Sequence, residues 1–477
     1  MAAPRSQRHS PSGLAEATRG LPFLGRISAD RDRLTAGEWT ELTLTYEVGA
    51  AGLADGGWLK ATFKFYSDWG LFQTVDPRAA NYATAEYVAA PCRPGQSPAT
   101  VQALALRFDQ KGHERPYQKA LIVDIVDGYL KAGDRIVLRL GDRRAGGPGT
   151  RVQTFVERDF RFRAYVDPLG TSRFGAVPGD VRLDIVPGPP AHLELITPRL
   201  CAAGSASPPV VLRLEDRWGN ACVDTPLDLA VTASRDGEPV LSRIVPTPSR
   251  GWAVARLDNL PTTAGELTLT AIAGRGIASA AALLTFDPAA PTPRALFADL
   301  HVHSEDTVGI NDTAYNLTYG RDAAGLDILG YTANDFQISA ANWRSAVDAA
   351  NRLDEPGRFV CWPGIEWCGN SCAGGDRNVV YLGDSEPAFP VDAEGRSTRS
   401  FEWSEDMAGR EITPGRWPVE ELWATYARTP ADHLLIPHVG GRRALLDWHD
   451  PELERLVEVA SSWGHFGWLY EEAARRG

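Results

Sequence analysis

The 477-residue chain contains no uninterrupted apolar run near the ~20 residues that a membrane-spanning helix needs, so no membrane partner is expected. It also lacks an excess of positive charge. With 49 Lys and Arg against 61 Asp and Glu, its net charge of -12 argues against a nucleic-acid partner, because phosphate backbones select basic surfaces. Cysteine is sparse: Cys92, Cys201, Cys222, Cys361, Cys368 and Cys372 are scattered and form no disulfide framework. The last three, in "CWPGIEWCGNSC", lack the C-x2-C spacing of a structural zinc site and read as buried or free thiols. The opening "MAAPRSQRHSPSGLAEATRG" lacks the apolar core of a secretory leader. It reads as a disordered lead-in over residues 1–20, which makes the cytoplasm the expected location. Lysine is absent after Lys131.

What is present is a folded-protein composition, 43% hydrophobic and 23% charged, in a chain long enough for two to four domains. Residues 21–186 show period-two alternation. "ELTLTYEV" places Leu42, Leu44, Tyr46 and Val48 on one face, and "DRIVLRLGD" does the same with Ile136, Leu138 and Leu140. Turn clusters such as "GAAGLADGG" separate these runs, so a β-sandwich or jelly-roll module is expected. A proline-rich joint, "PGPPAHLEL", opens a second module over 187–290, where "VVLRLEDRWGN" and "GELTLTAIAG" read as strands of an immunoglobulin-like sandwich.

After the linker "DPAAPTPRA" the texture changes. Over 291–477 short strands alternate with helical stretches: "RALFADLHV", "TYGRDAAG", "LDILGYT", "NWRSAVDAANRL", "RFVCWPGIEW", "VEELWATYA", "HLLIPHV" and "LERLVEVAS". That alternation predicts a parallel α/β arrangement. Six of the nine histidines lie in this segment, which directs the search for chemistry there.

On a regular strand, residues i and i+2 share a face, so Asp299, His301 and His303 of "DLHVHS" are expected to point the same way. Imidazoles bind divalent metals well, and a neighbouring carboxylate orients such a ring. Later strand ends supply Glu366 in "PGIEW" and His438 in "LLIPHVGGRR". Together these groups predict a metal centre.

"DLHVHS", "LDILGYT", "PGIEW" and "IPHVGGR", in this order, resemble the polymerase-and-histidinol-phosphatase (PHP) superfamily. The extra β-modules and "GGDRNVVYL" resemble its branch of unknown function. The resemblance covers about residues 294–477. It implies a distorted seven-stranded α/β barrel, two or three metal ions and hydrolysis of phosphate esters. It assigns His301, His303, Glu366 and His438 as metal ligands, with Glu366 bridging two ions, and it adds His465 in "SSWGHFGW" as a further candidate. "YTAND" departs from the family pattern: Ala333 and Asn334 stand where Asp and His are usual, with Asp335 as the nearby oxygen donor. The family's final Asp-x-His has no counterpart, and about five strands are visible, so a C-terminally truncated barrel is expected.

The function these expectations describe is a metal-dependent hydrolase of phosphate esters using two divalent ions, Zn, Mn or Fe, with activity expected to be impaired or lost in the truncated barrel. Arg442 would clamp phosphate oxygens and Asp299 would orient a histidine. A barrel of the amidohydrolase type also opens with His-x-His, but the variety that bridges its metals with a modified lysine is excluded by the absence of lysine after Lys131. His433 and His449 read as structural, and Glu458 as either a partner of a ligand or an ordinary strand polar residue. The alternative is a non-catalytic binding or scaffold protein. Under it, Tyr66, Trp69 and Phe72 of "FYSDWGLFQTVDP" stack on a sugar or simply pack a core. A homo-oligomer is left open.

Overall fold

The computed structural model describes residues 20–92, 98–335, 337–369, 371–383, 419–429 and 432–477. The expected lead-in lies outside these residues, Gly20 apart. The chain divides into two compact units, residues 1–189 with 216–220 and residues 190–215 with 221–477.

The first unit is a β-sandwich. One sheet orders strands Arg26–Ala29, Leu42–Glu47, Arg135–Leu140 and Ala83–Val88. The other is built around Glu157–Asp167, Trp58–Phe63 and Lys119–Val126. Alternation sends Leu42, Leu44 and Tyr46 inward, where they share one core with Leu59, Phe63, Val123 and Phe162 of the facing sheet. Trp69 and Phe72 lie buried in that core, and the Tyr66 hydroxyl donates to Glu157 Oε1 at 3.1 Å. Packing therefore accounts for the aromatic set.

The second unit begins with an immunoglobulin-like sandwich of a three-stranded and a five-stranded sheet. Leu212, Leu214, Leu229, Val231, Leu267 and Phe286 form its core. It continues into the histidine-rich segment without a break in packing. Trp252 sits 5.3 Å and 5.5 Å from the rings of Tyr315 and Tyr319 on the segment's first helix, and Arg213 donates to Ala323 O at 2.8 Å.

That segment runs β1 (Ala298–Val302), α1 (Thr313–Asp322), β2 (Ile328–Asn334), α2 (Ala340–Leu353), β3 (Val360–Trp367), β4 (Arg377–Tyr381), α3 (Val419–Tyr426) and β5 (His433–Pro437). The side chain of Asp312 caps α1 by accepting from Tyr315 N at 2.8 Å, and Ser339 caps α2 by accepting from Asn342 N at 3.1 Å. The spacing of Trp343, Ala346, Val347 and Ala350 gives α2 one apolar stripe, which it buries against the sheet.

Here the structure corrects the fold class expected from the sequence. Of the described residues 41% are strand and only 11% helix, and those of the C-terminal segment do not form an α/β barrel of the PHP type, complete or truncated. The five strands make an open sheet in the order β1-β2-β3-β4-β5. The first three are parallel, but β4 runs antiparallel to β3 and β5 antiparallel to β4. The reason is local. Only nine residues, 368–376, join β3 to β4, too few for the helical crossover of a dozen or more residues that a parallel neighbour requires. The stretch "LERLVEVAS" does not extend the sheet either. It joins no β-ladder before Ala460–Ser461, which forms a two-stranded ribbon with Gly464–His465.

The two faces of the sheet differ. Ala333, Ile365 and Val379 are register partners on the face that packs against the helices. Asn334, Glu366 and Asn378 are register partners on the other. Polar side chains thus line one face of the strands beside a helix-covered apolar face.

Candidate metal centre

Strands β1, β2, β3 and β5 end at the same edge of the sheet, and β4 begins there, because two successive antiparallel pairings restore the direction of β3 in β5. Open α/β sheets hold ligands at this edge. Val302 pairs with Tyr331 on the helix-covered side, so His301 and His303 project to the polar side, toward Glu366. His438 follows β5 directly, and Glu458 is brought alongside by its backbone N–H donating to Pro437 O at 3.2 Å.

These side chains meet. His301 Nε2 lies 3.1 Å from His303 Nε2, His303 Nε2 lies 3.3 Å from Glu366 Oε2, and His438 Nε2 lies 3.5 Å from Glu366 Oε1. His301 Nδ1 is 2.7 Å from Glu458 Oε2, which also accepts from Asn378 Nδ2 at 3.3 Å. Donor atoms of His301, His303 and Glu366 fall within 4.8 Å of one another, as do those of His301, His438 and Glu458. Two ligands on opposite sides of one cation stand about 4.2 Å apart, so shifts on the order of an ångström close either set around an ion.

The electrostatics favour a cation. His438 has no exposed surface, and both its ring nitrogens are buried without a hydrogen-bond partner. Burial, reinforced by the charge of His301, pushes its pKa down to about 3. The imidazole is therefore neutral at physiological pH, the form that ligates metals. Burial also opposes charge on Glu366, but the hydrogen bond from His303, with the charge of that ring, holds its carboxyl well below the usual carboxylate range. His303 Nδ1 is a further buried nitrogen without a partner. A neutral orphaned imidazole beside a buried carboxylate is a donor set suited to zinc, manganese or iron. The side chains of His301 and His303 keep 16% and 20% exposure, so the centre is open to solvent on their side.

Of the residues singled out in the sequence, His301, His303, Glu366 and His438 come together, and others do not join them. Register slips between Asp299 and Val302, and exposed Asp299 accepts from the His301 backbone N–H at 3.1 Å. Its carboxylate therefore fixes the turn of the chain, and the task of orienting an imidazole falls to Glu458. Asp335 is buried, but its Oδ1 accepts from Cys368 N at 3.1 Å, and it lies outside the three groupings of donor atoms among the described residues. His465 is exposed on the terminal ribbon and is likewise outside them. Arg442 is held by Asp376: its Nε donates to Oδ1 at 2.6 Å and its backbone N–H to Oδ2 at 3.0 Å. His433 and His449 bond backbone carbonyls of Thr429 and Glu454 at 2.9 Å and 2.8 Å, a structural role for both.

Sequence reasoning missed Cys368 and Asp376, whose donor atoms lie within 4.8 Å of one another and of a Glu366 carboxylate oxygen, and Asn378 as a partner of Glu458. The available signal was "GGDRNVVYL", whose short distance from "PGIEW" allows a tight return.

No family model and no curated protein matches the chain. Among solved structures, the Escherichia coli adhesin FdeC is similar at 15% identity over 55% of this chain and 64% of that chain, with a TM-score of 0.20. InvD of Yersinia pseudotuberculosis is similar at 13% identity over 60% of this chain and 65% of that chain, with a TM-score of 0.22. The D0-D1 domain of intimin is similar at 10% identity over 55% of this chain and 97% of that domain, with a TM-score of 0.16. The chain spans less than two thirds of FdeC and of InvD.

Proposed function

We propose that the chain is a metal-dependent hydrolase of phosphate esters whose cation is held by His301, His303, Glu366 and His438. The observation that carries this reading is His438: a fully buried imidazole with two orphaned nitrogens, beside a buried carboxylate, is costly unless something else partners it. The resemblance of "DLHVHS" and "IPHVGGR" to phosphoesterase motifs supplies the substrate class. His301, His303, Glu366 and His438 would hold a divalent ion, which would supply Lewis acidity toward a phosphoryl group and a water nucleophile.

The protein's own residues have separable tasks. Glu458 receives the Nδ1 side of His301 and so presents Nε2 to the centre. Glu366 brings the negative charge that a cation needs, and His438 closes the side away from solvent. Solvent and substrate reach the centre past His301 and His303. Because Asp376 holds Arg442, contact with a phosphate requires one of its guanidinium Nη groups.

The test is metal content of the purified chain with hydrolysis of an aryl phosphate, compared with His301→Ala and Glu366→Ala. Bound metal and turnover in the parent, both lost in the variants, support the reading. Metal retained equally by all three refutes it. The grip of Asp376 on Arg442 favours a second reading, a cation that braces the fold without catalysis. Metal-dependent stability with no turnover of any phosphate ester is its signature.

A further inference from the structure

We infer that the first unit binds a uronic acid, a sugar carrying one carboxylate, in a groove at one end of its four-stranded sheet. The site belongs to the first unit alone and does not rest on the metal-centre reading. The groove has a volume of about 520 Å³; Arg26, Ser28, Thr45, Glu47 and Arg135 form its floor and residues 89–91 its wall. Register assembles the floor. Leu42, Leu44 and Tyr46 face the core, so Thr45 and Glu47 face outward. Arg26 and Arg135 are the partners of Glu47 on its two sides, and Ser28 is the partner of Thr45. One carboxylate thus stands between two guanidinium groups. Arg26 donates to it through Nε, whereas Arg135 has no ion-pair partner among the described residues. The floor keeps one uncompensated positive charge, in a planar fork that matches a carboxylate.

The wall is held in place by a separate device. Ala90 N–H donates to Asp134 Oδ1 at 2.8 Å, and Ala90 O accepts from Lys131 Nζ at 2.8 Å. Lys131 and Asp134 pair at 2.8 Å with side chains only 8% and 0% exposed. A buried ion pair is costly unless its remaining donors and acceptors are filled, and here each partner spends a bond on the same wall residue. Both backbone groups of Ala90 are thereby fixed, so the groove is formed before a ligand arrives and little ordering remains to oppose binding. Size and polarity select the ligand. The volume lies within the roughly 300–1,000 Å³ of small-molecule sites and far exceeds what a bare sulfate or phosphate fills. A uronic acid sets its carboxylate on Arg135, its hydroxyls on Ser28, Thr45 and Glu47, and its C–H face on Ala89 and Pro91. A neutral sugar leaves Arg135 unmatched, and a phosphate dianion brings one charge more than the floor can balance. The negative charge of the whole chain does not cancel this attraction, because salt screens exposed charges beyond about 8–10 Å.

The test is calorimetric titration of the full chain with galacturonic acid, with an oligomer of it, and with galactose and its oligomer. Saturable binding of the acidic sugars alone is expected, weakening as salt rises. Arg135→Ala should lower the affinity about tenfold or more at an unchanged melting temperature, since the side chain is exposed, and Arg135→Lys should recover part of the loss. Ala89→Trp, which fills the groove without altering charge, should abolish binding. An oligomer that binds more tightly than the monomer supports the site with an acidic polysaccharide as its source, and equal affinity supports it with a free sugar acid. Neutral sugars that bind as well as acidic ones overturn the inference, as does an affinity unchanged in Arg135→Ala. Sulfate that displaces the sugar at equal concentration reduces the groove to a general anion site and also overturns it. So does the absence of binding at millimolar sugar. None of these outcomes bears on the metal centre.

Discussion

Replacing His438 with leucine should reverse the usual effect of a core substitution. In the metal-free chain His438 carries a penalty, because its side chain has no exposure and neither ring nitrogen is hydrogen-bonded. A buried polar group left unsatisfied costs roughly 1–3 kcal/mol, and a volume-conserving apolar replacement costs less than about 1.5 kcal/mol in repacking. Held neutral, His438 adds little support to the charge of Glu366, which also has His303 and Asn334 as partners. Without metal, His438→Leu should therefore melt at or above the parent temperature, by about 2–4 °C for each kcal/mol gained. With metal at a hundredfold excess over Kd the parent should gain about 2.7 kcal/mol, and the variant should lose that gain. Calorimetry in chelator and in zinc measures both halves. A metal-free variant that melts well below the parent, or a parent indifferent to every divalent ion, would refute the reasoning.

Glu458→Gln should lower metal affinity about 10–100-fold while leaving the metal-free melting temperature nearly unchanged, because the carboxylate orients His301 from behind; competition against a chromophoric chelator reads it. Arg377→Met should cost about 3–5 kcal/mol, since it strands Glu454 in an ion pair of 3.0 Å with no exposure on either side chain; thermal unfolding should show much of the loss restored by adding Glu454→Gln. In the first unit, burial and the charges of Lys60 and Arg163 push His113 down to about 4. The unfolded chain protonates that ring first, near pH 6.5, so stability should fall as pH drops from about 6.5 to 4, by no more than about 2 kcal/mol after solvent screening. His113→Phe should flatten that slope in urea melts while keeping the ring contact with Tyr165.

Much of the secondary structure was legible before any coordinates. The alternation of "LTLTYE" is reproduced as buried and half-buried residues in turn, and the apolar spacing of "NWRSAVDAANRL" as a helix with one buried stripe. Both are local signals, set by the two-residue period of strands and the 3.6-residue period of helices. The candidate site was legible only in part. His301, His303, Glu366 and His438 stand out as polar residues at the ends of apolar strands. Glu458 was visible only as an ambiguous polar residue, because its relation to His301 spans 157 positions of sequence. Asp299 shows the converse: two-residue spacing set it on the histidines' face, whereas a slip in register leaves its carboxylate on the His301 backbone N–H.

Sequence by itself determined where most strands and helices form, "LERLVEVAS" excepted, and that one region concentrates imidazoles and carboxylates. Tertiary structure alone decided that β4 returns antiparallel and leaves the sheet open, and that Asp376 therefore stands opposite Cys368 and takes hold of Arg442. The physical reason is the range of the two kinds of information. Hydrophobic period is written into neighbouring residues, whereas strand direction and register depend on how a short connection closes and which distant groups satisfy one another once buried.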